Sequence, residues 1–279
     1  MLDASEPALV LTSSEHLEQA ENLYGELPQL QRLPWLATDE IPEDRSERWR
    51  APDIKQSDLA FLQYTSVSTA TPKGVMLSHE NLLHNSSLIR EAFGTDQDDT
   101  AVFWLPLYHD MGLIGGVIQP IYCGGTCVLL APAAFLQRPR LWLETISSNR
   151  AAISGGPDFA YDVCARKIGP EERGGLDLSC WRIAFTGAEP IRAGTLGRFA
   201  SAFAECGFRR TAFLPVYGLA EATLMVSGGP RGNPPTVVRV DATTLREHRI
   251  REVAEPHSAA RDLVGSGVCL PGQDVVATC

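Results

Sequence analysis

The sequence predicts an α/β protein whose mainly parallel sheet is covered on both faces. Two observations carry that prediction. Apolar runs of strand length alternate with helical patterns across residues 101–226, and such alternation implies parallel strands joined by crossovers. The loops richest in polar and glycine motifs fall just after the inferred strands, where open α/β sheets present their ligand sites.

Taken in order, residues 8–11 read as a short buried strand, and Ser13 or Ser14 caps a helix continuing toward Tyr24. Residues 28–52 are proline-punctuated and charged, which suits an irregular surface connection. The apolar run 59–64 is a strand. Ser78 is an N-cap, with Leu82, Ser86, Ile89 and Phe93 along one helical face. Residues 101–105, 126–130, 151–154, 182–186 and 211–216 read as strands, and 139–149 and 193–205 as helices. Residues 221–226 lead into a turn at Gly228-Gly229-Pro230, and from Asn233 onward the chain leans toward β structure. Three regions are expected: 1–57, 58–230 and 231–279.

Composition narrows the function classes. A chain of 279 residues with 44% hydrophobic and 21% charged residues is ordinary for a globular protein. Its net charge of −10 and the lack of any Lys/Arg tract argue against a nucleic-acid partner. Seven irregularly spaced cysteines without a Cys-x-x-Cys suit reduced core thiols. Cys123, Cys127 and His109 form a zinc set only on paper, since their spacing does not support one. Residues 111–137 carry no charge, but Pro120, Pro132 and Gly124-Gly125 cut them into strand or buried-helix lengths, so no transmembrane segment is expected. The first seven residues lack the pattern of a signal peptide, and a cytoplasmic location is expected.

The most informative stretch is Thr65-Ser66-Val67-Ser68-Thr69-Ala70-Thr71-Pro72-Lys73-Gly74. Hydroxyls, backbone amides and an ammonium are what nucleotide phosphates require. Yet Lys73 is not part of a Gly-x-x-x-x-Gly-Lys-Ser/Thr loop, and dinucleotide, serine-hydrolase and zinc-protease signatures are absent from the sequence. Four further motifs follow: Trp104-Leu-Pro-Leu-Tyr-His-Asp-Met-Gly112, Ser154-Gly-Gly-Pro-Asp-Phe-Ala-Tyr161, Thr186-Gly-Ala-Glu-Pro190 and Tyr217-Gly-Leu-Ala-Glu-Ala-Thr223.

In this order the five motifs resemble the large domain of the adenylate-forming superfamily of acyl-CoA synthetases, and more closely its fatty acyl-AMP ligase branch. The resemblance spans residues 59–229 and implies a layered αβαβα domain, incomplete at both ends, with the start of a β-barrel-like C-terminal element. It implies that a fatty acid attacks the α-phosphorus of ATP, giving an acyl-adenylate destined for an acyl carrier protein or polyketide synthase module. Positioning and charge neutralisation carry such chemistry, so no enzyme nucleophile is expected.

By the same resemblance, Thr65, Ser66, Ser68, Thr69 and Lys73 hold the leaving phosphates, and Gly187, Ala188, Glu189 and Pro190 lie along the adenine. Tyr217 packs against the base, with Gly218 allowing close approach. Glu221 holds Mg²⁺, a hard cation that prefers oxygen ligands. His109 stands near the reacting carboxylate, and Gly155, Gly156 and Pro157 wall the acyl site from the nucleotide. Each residue has a plainer alternative; Glu189, for instance, is equally a helix cap. Residues 236–262 are similar in position and composition to the insertion that separates acyl-AMP ligases from CoA-using relatives, or they form a plain surface hairpin.

Two departures qualify the resemblance. Val67 and Ala70 stand where the family's loop has glycine, and a left-handed valine carries strain of about 1–2 kcal/mol. Family members also continue beyond position 279 into a hinge and a small domain with a catalytic lysine. A fragment, a truncated piece or a degenerate copy is therefore expected. An acyl-CoA synthetase and a non-catalytic binding or scaffold remnant stay open as alternatives.

Overall fold

The computed structural model describes residues 5–23, 28–65, 73–254 and 259–276. Two compact units divide the chain, Met1–Met76 and Leu77–Cys279.

In the first unit β1 (Val10–Thr12) pairs in parallel with β2 (Trp35–Ala37). Between them runs α1 (Ser14–Leu23), whose start is held by the Ser13 hydroxyl, which accepts from the His16 amide at 3.4 Å. The expectation of a buried strand here is corrected, because Leu9 and Leu11 are 44% and 62% exposed. Residues 28–52 are also less irregular than expected. They contain β2, which lies beside β1 through pairing that no local pattern announces. β3 (Leu59–Thr65) and β4 (Lys73–Ser78) form a second two-stranded sheet on either side of residues 66–72.

The second unit is built on a seven-stranded sheet. Its strands are β5 (Thr100–Phe103), β6 (Thr126–Leu129), β7 (Ile153–Gly156), β8 (Ile183–Thr186), β9 (Phe213–Gly218), β10 (Met225–Gly228) and β13 (Val268–Cys269). Their order is β13-β10-β9-β8-β7-β5-β6, parallel from β6 to β9 and antiparallel at β10 and β13. From β5 the chain steps outward to β6 and then returns past β5 to β7. The order therefore reverses between β5 and β7, the kind of point beside which open α/β sheets bind ligands.

Right-handed crossovers then put the helices of the two directions on opposite faces. One face carries α2 (His79–Phe93) against a continuous helical stretch: α3 (Asp110–Leu113), a π-helical segment Ile114–Ile118, and α4 (Gln119–Cys123). α2 starts at the expected cap, where Ser78 and Asn81 form a reciprocal capping box, and ends at Gly94 with φ +57°. Leu82, Ser86, Ile89 and Phe93 are all buried, as their spacing predicts. α5 (Pro132–Gln137) follows β6.

The other face carries α6 (Arg140–Ser148), α7 (Asp158–Lys167) and α8 (Ala193–Ala202) over an aromatic core of Trp142, Tyr161, Trp181, Phe199 and Phe213. Ser154 ties that core to the sheet. Its hydroxyl donates to the Val102 carbonyl at 2.6 Å and accepts from the Trp142 indole at 2.7 Å.

β11 (Val237–Asp241) and β12 (Ala260–Val264) pair antiparallel, with α9 (Ala242–Arg246) opening the segment between them. Arg239 and Asp262 form a forked ion pair across this ladder. The segment 236–262 is thus a hairpin with a helical insert, and the sheets of the described residues are open rather than closed into a barrel. Among the described residues no helix is long and apolar enough to cross a membrane.

Candidate active site

A cavity of about 250 Å³ lies between the sheet and the α2/α3–α4 face. Ala101, Phe103, Ile153, Phe185 and Val216 supply its sheet wall, and Ile89 and Phe93 its roof. Met111, Gly115, Gln119 and Cys123 line it from the helical stretch at strict four-residue spacing, which keeps them on one side. The lining runs from the amino ends of β5 and β6 at Asp99 and Thr126 to His109, Ala188 and Tyr217 at or beyond the carboxyl ends of β5, β8 and β9, so the cavity is an apolar channel along the sheet. Phe103 and Phe185 stack with ring centroids 5.3 Å apart in its wall.

His109, Ala188, Tyr217, Gly218 and Leu219 meet at one end of this channel, and Asp96, Asp99 and Thr126 mark the other. Four sequence-predicted residues therefore share a mouth, although they come from three separate strand ends. His109 N-caps α3. Its Nδ1 is 2.6 Å from Asp110 Oδ1, and that hydrogen bond raises the imidazole's pKa above its ordinary 6.5 against the opposing effect of partial burial. The Met111 amide donates both to His109 Nδ1 and to Asp110 Oδ1. When His109 carries its second proton, Asp110 alone serves that amide.

The remaining predicted residues have clear local surroundings. A side chain at position 155 would collide with the Phe185 carbonyl, its Cβ falling 2.1 Å from the oxygen, so Gly155 is needed for β7 to lie against β8. Gly156 is buried against Trp104, and Pro157 follows it at the N-cap of α7. A Cβ on Gly218 would stand 1.7 Å from the Leu224 carbonyl, so the close approach there is by the chain's own next strand. Gly187 is buried beneath Val216, Ala188 holds φ +64°, and Glu189 and Pro190 are exposed. The Glu189 carboxylate accepts from the Phe159 amide at 2.7 Å, where it caps α7. Glu221 is exposed in the 3-10 turn Ala220–Ala222, and among the described residues no ion pair engages it. None of Gly155, Gly156, Pro157, Gly187, Glu189, Pro190 or Glu221 lines the channel.

In the first unit, Thr65 ends β3 and Lys73 begins β4 with its side chain exposed. Ser66, Val67, Ser68, Thr69 and Ala70 lie outside the described residues. Among the described residues, no three His, Cys, Asp or Glu side chains gather as a metal cage. A lone exposed carboxylate suits instead a magnesium ion that keeps water and substrate phosphates as its other ligands.

Several contributors were not read from the sequence. Asp110 stands within the 104–112 motif, where the sequence alone assigns it no role. The stripe Met111, Gly115, Gln119 and Cys123 has helical spacing in an uncharged segment, a signal that was present. Thr223, with φ +73° and a buried side chain, had none.

The model of the AMP-binding enzyme family matches residues 1–248. The chain belongs to that family. Among AMP-binding enzymes it is 44% identical over 274 residues to the medium-chain-fatty-acid–[acyl-carrier-protein] ligase JamA of Moorena producens (strain JHB), covering 97% of this chain and 46% of that protein. It is 38% identical over 259 residues to the long-chain-fatty-acid–AMP ligase FadD32 of Mycolicibacterium smegmatis, covering 91% of this chain and 41% of the relative. A solved fatty acyl-adenylate ligase from L. pneumophila, in complex with acyl adenylate and pyrophosphate, superposes with TM-score 0.89 at 42% identity over 96% of this chain and 46% of that one. The chain thus spans less than half the length of these AMP-binding relatives.

Proposed function

We propose that this chain is the nucleotide- and acyl-binding part of a fatty acid–AMP ligase that charges an acyl carrier protein. The observation that carries this reading is the apolar channel whose mouth is formed by His109, Ala188, Tyr217 and Gly218. An apolar channel lined by Ile89, Phe93, Phe103, Met111 and Phe185 suits an acyl tail. The mouth brings the tail's carboxylate to the residues expected around a nucleotide.

Protonated His109 contributes a positive charge near the carboxylate, and its raised pKa widens the pH range over which it does so. Tyr217 offers a half-exposed ring for the base, and Ala188 borders the same space. Thr65, Ser66, Ser68, Thr69 and Lys73 hold the leaving phosphates, Gly187, Glu189 and Pro190 frame the adenine, and Gly155, Gly156 and Pro157 separate the two sites. Glu221 would hold Mg²⁺, which supplies charge neutralisation on the phosphates when bound. A carboxylate oxygen bonds to the α-phosphorus of ATP as the bond to the bridging oxygen breaks and pyrophosphate leaves. The acyl group then passes to the phosphopantetheine thiol of a carrier protein or polyketide synthase module in the cytoplasm, forming a thioester as the bond to AMP breaks and AMP leaves.

Acid-dependent exchange of labelled pyrophosphate into ATP tests the first step. Exchange with medium-chain acids supports it, and no exchange with any chain length sinks it for this chain. Adding CoA or a phosphopantetheinylated carrier protein then separates the readings, since thioester formed on CoA makes the protein an acyl-CoA synthetase. Binding without exchange leaves the non-catalytic remnant.

A further inference from the structure

Asn85 lies within α2 and is 2% exposed. Its side-chain amide makes both hydrogen bonds that a neighbouring strand would make to Met225. Nδ2 donates to the Met225 carbonyl at 2.9 Å, and Oδ1 accepts from the Met225 amide at 3.1 Å. Nδ2 also donates to the Ala222 carbonyl at 3.4 Å. One helix side chain thereby grips a turn 140 residues away at two points.

That turn is under strain. Thr223 holds φ +73° and ψ −62°, a conformation rare for any L residue and most unfavourable for a β-branched one. The Leu224 amide donates to Ala222 O at 2.9 Å, and the Leu219 amide donates to Leu224 O at 3.0 Å. Beyond the turn, Met225 opposes Gly218 before the pairing of β10 with β9 slips register. Strained backbone of this kind persists only where its surroundings over-determine it. Met225 and Ala222, held by Asn85, bracket the strained residue.

We infer that Asn85 is a positioning residue for the nucleotide end of the site. By fixing the 222–225 backbone it sets the turn that carries Glu221 and closes back on Tyr217-Gly218. This rests on the reading of Tyr217 and Glu221 as the groups that meet ATP and its magnesium. The side chain itself touches neither.

The test compares Asn85→Ala, which loses all three bonds, with Asn85→Asp, which keeps the volume and the acceptor for the Met225 amide. Ser86→Ala, a buried neighbour whose hydroxyl contacts neither Ala222 nor Met225, is the control. Amide hydrogen exchange is read at Leu224 and Met225, and ATP affinity is read by calorimetry with magnesium present. Asn85→Ala is expected to speed exchange at both amides and to weaken ATP·Mg²⁺ about tenfold, with a smaller loss of decanoate binding without nucleotide, since Leu224 and Met225 also line the channel. Asn85→Asp is expected to shift affinity in the same direction with circular dichroism unchanged, which keeps the test decisive if the alanine variant unfolds. Ser86→Ala should match the unsubstituted chain. Faster exchange with unchanged ATP·Mg²⁺ affinity, or equal losses for ATP and decanoate, makes the contact merely structural and overturns the proposal. Failure of the unsubstituted chain to bind ATP·Mg²⁺ overturns the nucleotide reading as well, an outcome visible before any variant is made.

Discussion

His109 and Asp110 are sequence neighbours whose side chains bond to each other across the N-terminus of α3, with Nδ1 and Oδ1 2.6 Å apart at the channel mouth. Asp110 is nearly buried and His109 half-exposed, so the carboxylate is a fixed partner for a ring that reaches solvent. The bond raises the His109 pKa above 6.5. A raised folded-state value means the pair's stabilisation is fully present below the unfolded pKa. It is lost as pH rises through the folded value. NMR titration of His109 should therefore find a midpoint above 6.5, and Asp110→Asn should lower it. An unchanged midpoint in that variant would refute the coupling. Decanoate binding should weaken with pH over the same interval.

Gly115 faces the middle of the channel, where an added Cβ would lie 3.2 Å from the Phe103 ring and within 4.0 Å of Leu224. Larger side chains there fill the channel. Gly115→Leu is expected to lower the affinity for decanoate and longer acids at least tenfold, about 1.4 kcal/mol, with ATP affinity unchanged. Calorimetry with acids of graded length reads the result. Equal loss at all lengths would show that the channel does not measure the tail.

Glu189 separates two roles cleanly. Its carboxylate caps α7 through the Phe159 amide, and a lost N-terminal cap costs about 1 kcal/mol. Glu189→Ala should reduce the urea-unfolding free energy by about that much. A loss of ATP affinity without any stability change would instead favour the adenine role.

The hydroxyl-rich loop at 65–74 makes its own prediction from sequence. Glycine removes the penalty that a β-branched residue pays in a left-handed conformation. Val67→Gly with Ala70→Gly should strengthen ATP binding about tenfold, or about 1.4 kcal/mol. Unchanged affinity in calorimetry would show that the loop is not what limits binding.

What the sequence determined by itself is whatever short-range chemistry controls. Ser78 and Asn81 cap α2 through bonds spanning three residues, and the spacing of Leu82, Ser86, Ile89 and Phe93 alone selects the buried face. The five parallel strands of the main sheet were legible to within a few residues, because apolar runs and glycine or proline breaks bound them, whereas β13 was not read and Gly228, expected in a turn, ends β10. The five motifs in order were enough to indicate the family. Only the tertiary structure decided which distant segments meet. Strand order puts the ends of β5, β8 and β9 at one channel mouth. Residues 8–11 look like a core strand yet pair at an exposed site with β2. Asn85 reads as an ordinary polar helix residue until Met225, 140 positions later, supplies the backbone that it holds. Such contacts leave no periodic trace, because the fold must close the chain before either partner is near the other.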